Sequence, residues 1–201
     1  MTGESDAIAV GRRPQPGGRP SAPGRLAVVQ AFLNSHYDLE NHHGAELLHS
    51  PAALVAWLRG AGLLAGASET TEADDHDLRR ALVVREGLRT LAQDSVGRSR
   101  ALDVAARGAA VEVRVAPDGE LHFVAARAAG VSGALGVLLA IAAVAVADGS
   151  WSRLKVCPGD DCGWAFYDGS RNRSGRWCSM SVCGGRAKAR SHYHRRRSTE
   201  A

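Results

Sequence analysis

From Arg25 onward the chain takes up a helical rhythm: Leu26, Val29, Phe32 and Leu33 fall at i, i+3, i+6 and i+7 and so share one face. Ser50-Pro51 supplies an N-cap followed by proline at the first helical position, ahead of Leu54, Trp57 and Leu58, with Gly60 or Gly62 as the stop. A third helix is predicted behind the acidic run Asp74, Asp75 and Asp77, whose charges suit a helix N-terminus, and it carries Leu78, Leu82, Leu88 and Leu91 inward. The period then changes. Val111-Glu-Val-Arg-Val115 alternates, Pro117-Asp118-Gly119 turns the chain, and Leu121 and Phe123 resume it, which predicts a β-hairpin. The fold class read from this pattern is α+β, mainly helical in its N-terminal part.

Residues 131–147 form the longest apolar stretch, 17 residues without a charge, which touches the lower limit for a membrane span. Their alanine and glycine content, the acidic cap at Asp148 and the lack of a basic or aromatic anchor before them favour a central buried helix, one that could also pair subunits into a homodimer. No membrane association is expected. Residues 1–24 lack apolar periodicity and are rich in Gly and Pro, as in Gly11-Arg12-Arg13-Pro14 and Gly17-Gly18-Arg19-Pro20. They read as a disordered tail with no secretory h-region, which predicts a cytoplasmic protein.

The net charge of +4 conceals an asymmetry. Residues 1–152 carry 14 Arg against 17 Asp and Glu, whereas residues 153–197 carry 11 Lys and Arg against three Asp, a local balance of +8. A compact basic segment is the electrostatic footprint of a polyanion binder. All four cysteines lie in the same segment, as Cys157-x4-Cys162-x15-Cys178-x4-Cys183. Two close pairs joined by a mid-length spacer suit one tetrahedral zinc ion, and four thiolates leave no position open for water or substrate. The metal is therefore expected to be structural. Two disulfides are the competing reading, and they would require an oxidising compartment. Part of the basic excess would offset the charge of about −2 on a Zn(Cys)4 centre.

Residues 153–188 carry a resemblance. Arg153-Leu-Lys-Val-Cys157, the run from Cys162-Gly-Trp-Ala-Phe166 through Trp177-Cys178-Ser179-Met180, and Cys183-Gly184-Gly185-Arg186-Ala-Lys188 closely resemble the CGNR zinc finger. That family couples its finger to an N-terminal domain often called ABATE, associated with stress-induced transcription regulation. Asn34 closing the first helix, the Ser50-Pro51 start, Trp57-Leu58 and the Leu-rich third helix are similar to what that domain implies. The resemblance implies Cys157, Cys162, Cys178 and Cys183 as ligands of a single structural Zn2+ in a small treble-clef or ribbon-like module. One departure stands out: the name-giving Cys-Gly-Asn-Arg reads Cys183-Gly184-Gly185-Arg186 here. The implied organisation is a tail over 1–24, an ABATE-like domain over 25–150 and the finger over 151–197.

Trp164, Phe166, Tyr167 and Trp177 supply apolar mass to a unit too small to fold on its own core, and Phe166 and Trp177 read as core rather than as stacking platforms. Asp168, Ser170 and Asn172 sit in a polar turn suited to bonding backbone or arginines; a nuclease-type site from Asp160, Asp161 and Asp168 is the weaker alternative. From Gly184 a last helix is predicted. It places Arg186, Arg190, Tyr193 and Arg197 on one face and Lys188, His192 and Arg195 on another, with Arg196 beside them. Arg171, Arg173 and Arg176 in the inter-knuckle loop extend that surface.

His36, His42, His43 and His49 cluster between the first two helices, but no acidic or Cys partners stand at ligand spacing, so they read as surface histidines. No Gly-rich phosphate loop, nucleophile elbow or paired carboxylates are present in the sequence, and no catalytic residues are assigned. The function expected is a DNA-binding transcription regulator that docks through the zinc module, with the N-terminal domain dimerising or sensing a small-molecule effector. An RNA- or protein-interaction module is the alternative.

Overall fold

The computed structural model describes residues 15–36, 46–64, 71–93, 100–117, 119–126, 130–160 and 162–199. Helix α1 (Leu26–Leu33) buries Leu26, Val29, Phe32 and Leu33, as its periodicity requires, and Asn34 caps its C-terminal end. In α2 (Pro51–Gly60) the Ser50 hydroxyl accepts a hydrogen bond from the Ala53 amide at 3.1 Å. Its far end is a Schellman turn: Gly62 takes φ +67°, the Gly62 amide bonds the Arg59 carbonyl, and the Leu63 amide bonds that of Leu58. Trp57 leans on Phe32 with ring centroids 5.4 Å apart, so α1 and α2 share one side of the core.

Helix α3 (Asp75–Gln93) starts at a reciprocal cap in which the Asp77 amide bonds the Asp74 carboxylate at 2.8 Å. Leu88 is buried, and Leu78, Leu82 and Leu91 pack at the core margin. A further short helix, α4 (Arg100–Ala106), is not foreseen by the sequence pattern. Only Leu102 and Ala105 turn inward, too few to register a period, and Gly87 of α3 makes room for them: a Cβ there would lie 2.7 Å from that of Leu102.

The predicted hairpin pairs β1 (Val111–Val115) with β2 (Leu121–Ala125), antiparallel with Val113 opposite Phe123. Helix α5 (Gly130–Ala147) then passes through the centre, burying Val131, Leu135, Leu138 and Ile141 against α1, α2 and α3. Among the described residues it is the one helix long and apolar enough to cross a membrane, yet more than half of it is buried inside the protein, as a core helix must be. A single turn, Ser150–Arg153, leads into the second hairpin, β3 (Leu154–Val156) with β4 (Ala165–Tyr167). The last element among the described residues is α6 (Gly185–Thr199).

Two arginines one helical turn apart on α3 are buried, which requires paired charge around them. Arg85 forks onto Glu46 with two 2.7 Å bonds and also reaches Glu86 and the Ser35 hydroxyl. Burial alone would raise the Glu46 carboxyl. The bonds from Arg85, His36 and the Leu48 amide outweigh it and hold the carboxyl down at about 2. His36 is thus a surface partner of Glu46, at 3.0 Å, while His42 and His43 lie outside the described residues.

The disordered tail expected over residues 1–24 needs correction in its second half; residues 1–14 lie outside the described residues. Residues 15–24 are fastened at several points, and a sequence-local reading misses this because most of the partners are distant in the chain. Gln15 Oε1 accepts from Trp164 Nε1 and from Gln30 Nε2, both at 3.0 Å. Arg19 donates to the Trp177 and Cys178 carbonyls at 2.9 Å and lies 4.8 Å above the Phe166 ring.

Candidate metal centre and nucleic-acid interface

The β3–β4 hairpin is a wall with two faces. In its register Leu154 opposes Tyr167 and Val156 opposes Ala165, while Lys155 opposes Phe166. Leu154, Ala165 and Tyr167 therefore pack on the helical core, and Phe166 turns the other way into a second cluster with Trp164, Cys157, Cys178 and Cys183. The two side chains that anchor the wall come from α1 and its cap. Asn34 pairs with the Ala165 backbone as another strand would, Nδ2 to the carbonyl and the amide to Oδ1, both at 2.8 Å, and Gln30 Nε2 adds a bond to the same carbonyl. From α3, Arg89 bonds the Gly163 carbonyl at 2.6 Å as well as that of Leu33.

The four cysteine sulfurs lie within 4.8 Å of one another, and Cys178 Sγ stands 3.6 Å from that of Cys162 and 3.7 Å from that of Cys183. A zinc tetrahedron with Zn–S bonds of about 2.3 Å has S···S edges of roughly 3.75 Å, so the donor set matches the ion in number, type and spacing. A disulfide needs about 2.05 Å, and all four cysteines are free. Packed this tightly without a cation, the thiols cannot all ionise: the neighbouring Cys157 sulfur, with burial, pushes Cys162 up to about 12 and Cys178 above its usual range. A divalent ion reverses that balance. The protein's cofactor is one structural zinc. Gly159 sits close in the first knuckle: a Cβ there would stand 3.3 Å from Cys162 Cβ and 3.4 Å from Cys183 Sγ, so a side chain would need a small shift of its neighbours.

Asp168 is fully buried behind this centre and is not a candidate for a nuclease-type metal site. Its carboxylate accepts from Lys155 Nζ at 2.7 Å, the Gly175 amide at 2.7 Å and the Ser170 amide at 3.1 Å. Burial would raise this carboxyl, but Lys155 and these amides hold it well below the usual carboxylate range. Lys155 also bonds the Arg173 and Gly175 carbonyls, so one ion pair pins the loop between the knuckles. Asp160 is exposed and pairs with Arg190 at 3.2 Å; Asp161 lies outside the described residues. Because a Cβ on Gly175 would fall 2.7 Å from the Asp168 carboxylate, Gly175→Ala is expected to lose about 1–3 kcal/mol. Gly185 contrasts with it: it is the first residue of α6, at φ −63°, and a Cβ there meets nothing nearer than 3.7 Å. Gly185→Ala should therefore gain about 0.5–1 kcal/mol. Urea unfolding of the two variants tests both signs.

Arg171, Arg173, Arg176, Arg186, Lys188, Arg190, Arg195 and Arg196 are all exposed; the side chain of Arg197 lies outside the described residues. Several have protein partners as well. Arg173 donates to the Ser152 hydroxyl and Arg176 stacks over Trp177 at 5.3 Å. A short π-helical turn, Met180–Gly184, carries the fourth ligand directly into α6, so the metal fixes the direction in which the basic helix leaves the module.

The residues that sequence reasoning misses here are Gln15, Arg19, Gln30, Lys155 and Arg89. A signal existed for two of them: Gln30 and Arg89 sit among residues of an inward face, where a polar side chain must have a partner.

No curated protein matches the chain. Residues 153–196 match the family model for the CGNR zinc finger. Residues 26–149 match the model for ABATE, described as "Putative stress-induced transcription regulator". That second match covers more than half of the chain, and the two meet at the turn joining α5 to the metal module. The chain thus belongs to the ABATE family and carries the CGNR zinc finger at its C-terminal end.

Proposed function

We propose that this protein is a cytoplasmic, DNA-binding transcription regulator of the stress-response type. Residues 25–150 sense a signal or dimerise, and residues 151–197, clamped by zinc on Cys157, Cys162, Cys178 and Cys183, read the nucleic acid. The observation that carries the reading is the rigid mounting of the basic surface. Exposed cations on the loop from Arg171 to Arg176 and on α6 radiate from a metal centre that is itself bonded to the helical core. Preordered cations lose little freedom on meeting phosphates, and reduced thiolates suit the cytoplasm. Duplex DNA is preferred over single strands because Trp164 and Phe166 are buried, which removes two of the aromatic platforms that base stacking would use.

Fluorescence anisotropy of the zinc-loaded chain on duplex DNA should show log K falling with log salt at a slope of about −4 to −5 for roughly five phosphate contacts. Arg186→Ala should lower affinity evenly across sequences and reduce the slope by about 1. Absence of salt-sensitive retention on duplex DNA would refute the proposal, and tighter binding to single-stranded RNA would move it to the RNA-interaction class.

A further inference from the structure

The β1–β2 hairpin has one closed edge and one open one. The Ala126 amide bonds the Ala110 carbonyl and the Ala116 amide bonds that of Glu120, so the even residues of β1 face β2. By alternation Val111, Val113 and Val115 turn their amides and carbonyls away from the hairpin. On β2 the equivalent outer group, the Phe123 carbonyl, accepts from Arg25 at 2.8 Å. Among the described residues no hydrogen bond reaches the outward backbone groups of Val111, Val113 or Val115. The tip is also apolar and bare: Val113 is 60%, Val115 69% and Leu121 69% exposed. No proline lies within β1 to remove an outward amide, so this edge can accept another strand wherever its charges, Glu112 and Arg114, meet opposite charges.

The sequence of β1 says which strand fits. Val-Glu-Val-Arg-Val is charge-complementary to its own reverse about Val113. Placed antiparallel to a copy of itself with Val113 on the twofold axis, it sets Glu112 opposite Arg114 of the partner subunit, and Arg114 opposite the partner subunit's Glu112. It also brings the two Val113 backbones, whose groups point outward, into a hydrogen-bonded pair. Val115 then falls beside Val111 of the partner subunit. In each chain Val111 rests on α5, where a Cβ on Gly136 would come 3.0 Å from its Cγ1, so the exposed tip of one hairpin gains a floor near the other's central helix.

We infer that two copies of this chain form a twofold homodimer by joining their β1 edges into one four-stranded sheet. The ion pairs that Glu112 and Arg114 now make within the strand, at 2.9 Å, are exchanged for cross-strand pairs of the same kind. The dimer does not depend on the proposed nucleic-acid role, since it is measured without nucleic acid.

Sedimentation equilibrium of the full zinc-loaded chain should give a monomer–dimer isotherm. Val113→Pro should abolish the dimer while leaving the hairpin intact, because the Val113 amide is not used inside it. Glu112→Arg and Arg114→Glu, each alone, should weaken self-association by about tenfold, through like charges facing across the axis. An equimolar mixture of those two variants should restore dimerisation, because one chain then presents arginine at both positions and the other glutamate at both. No repair of folding within a chain can produce that rescue. Unchanged zinc content and helical circular dichroism confirm that each variant folds. A parent chain that stays monomeric up to its solubility limit, a dimer that survives Val113→Pro, or a mixture no better than its components would each overturn the inference.

Discussion

A chain carrying Cys178→Ser should retain no zinc and melt at least about 10 °C below the parent. Cys178 is 2% exposed and lies between two other ligands, 3.6 Å from Cys162 and 3.7 Å from Cys183, so its loss opens the tetrahedron at its most crowded corner. Structural zinc contributes about 10–16 kcal/mol in small finger modules, comparable with the whole stability of a typical domain, about 5–15 kcal/mol. The second cluster holds three buried cysteines, Trp164 and Phe166, with little apolar mass to remain folded without the ion. The damage should not stop at the module. Leu154 and Ala165, in the hairpin that closes the metal site, are also buried in the helical core, and Asn34 and Gln30 of the α1 segment are bonded to that hairpin. Loss of the ion should therefore lower the main helical transition, rather than produce a separate early melt. Metal analysis of the purified variant and its far-ultraviolet melt decide it; one zinc per chain, or a helical transition at the parent's temperature, would contradict the account.

What the sequence made legible was whatever depends on local repetition. The single inward face of α1, the Ser50-Pro51 start, the alternation in β1 and the two cysteine pairs are all short-range patterns, and each has a direct physical cause. Trp177 is half-buried beside Cys178 and Phe166 wholly buried, in keeping with their places at the knuckles. What stayed hidden was the fastening between parts. Arg19 lies 158 positions from Trp177 and Asn34 131 from Ala165, and no periodicity links such residues. The same holds for Asp168, whose polar turn pointed to backbone or arginine partners. It bonds two backbone amides as expected, but its cation is Lys155, which sits on the facing strand opposite Phe166, two positions before Asp168. Helix α4 escaped because its inward face is only two residues long.

Arg89 concentrates that hidden fastening in one side chain, and removing it should be the costliest single change outside the ligands. The guanidinium, 7% exposed on α3, bonds Glu86 at 3.1 Å, the Gly163 carbonyl at 2.6 Å and the Leu33 carbonyl. Leu33 ends α1, and Gly163 follows the second zinc ligand, so the fork ties two helices to the metal knuckle. Alanine would leave the buried Leu33 carbonyl and the half-buried Gly163 carbonyl without this donor, and each such lost bond to a charged donor costs about 1–3 kcal/mol. Lysine should recover only part of the loss, because a single ammonium cannot reproduce the planar fork. Arg79, exposed on the same helix, is the matched control and should shift stability by no more than about 0.5 kcal/mol when replaced by alanine. Urea unfolding of the three variants gives these differences directly. Zinc transfer to a chromogenic chelator supplies a second readout: it should be faster in Arg89→Ala than in Arg79→Ala, since only the first frees the knuckle at Gly163. Equal stabilities and equal transfer rates for the two alanine variants would mean that the helical core does not brace the metal site.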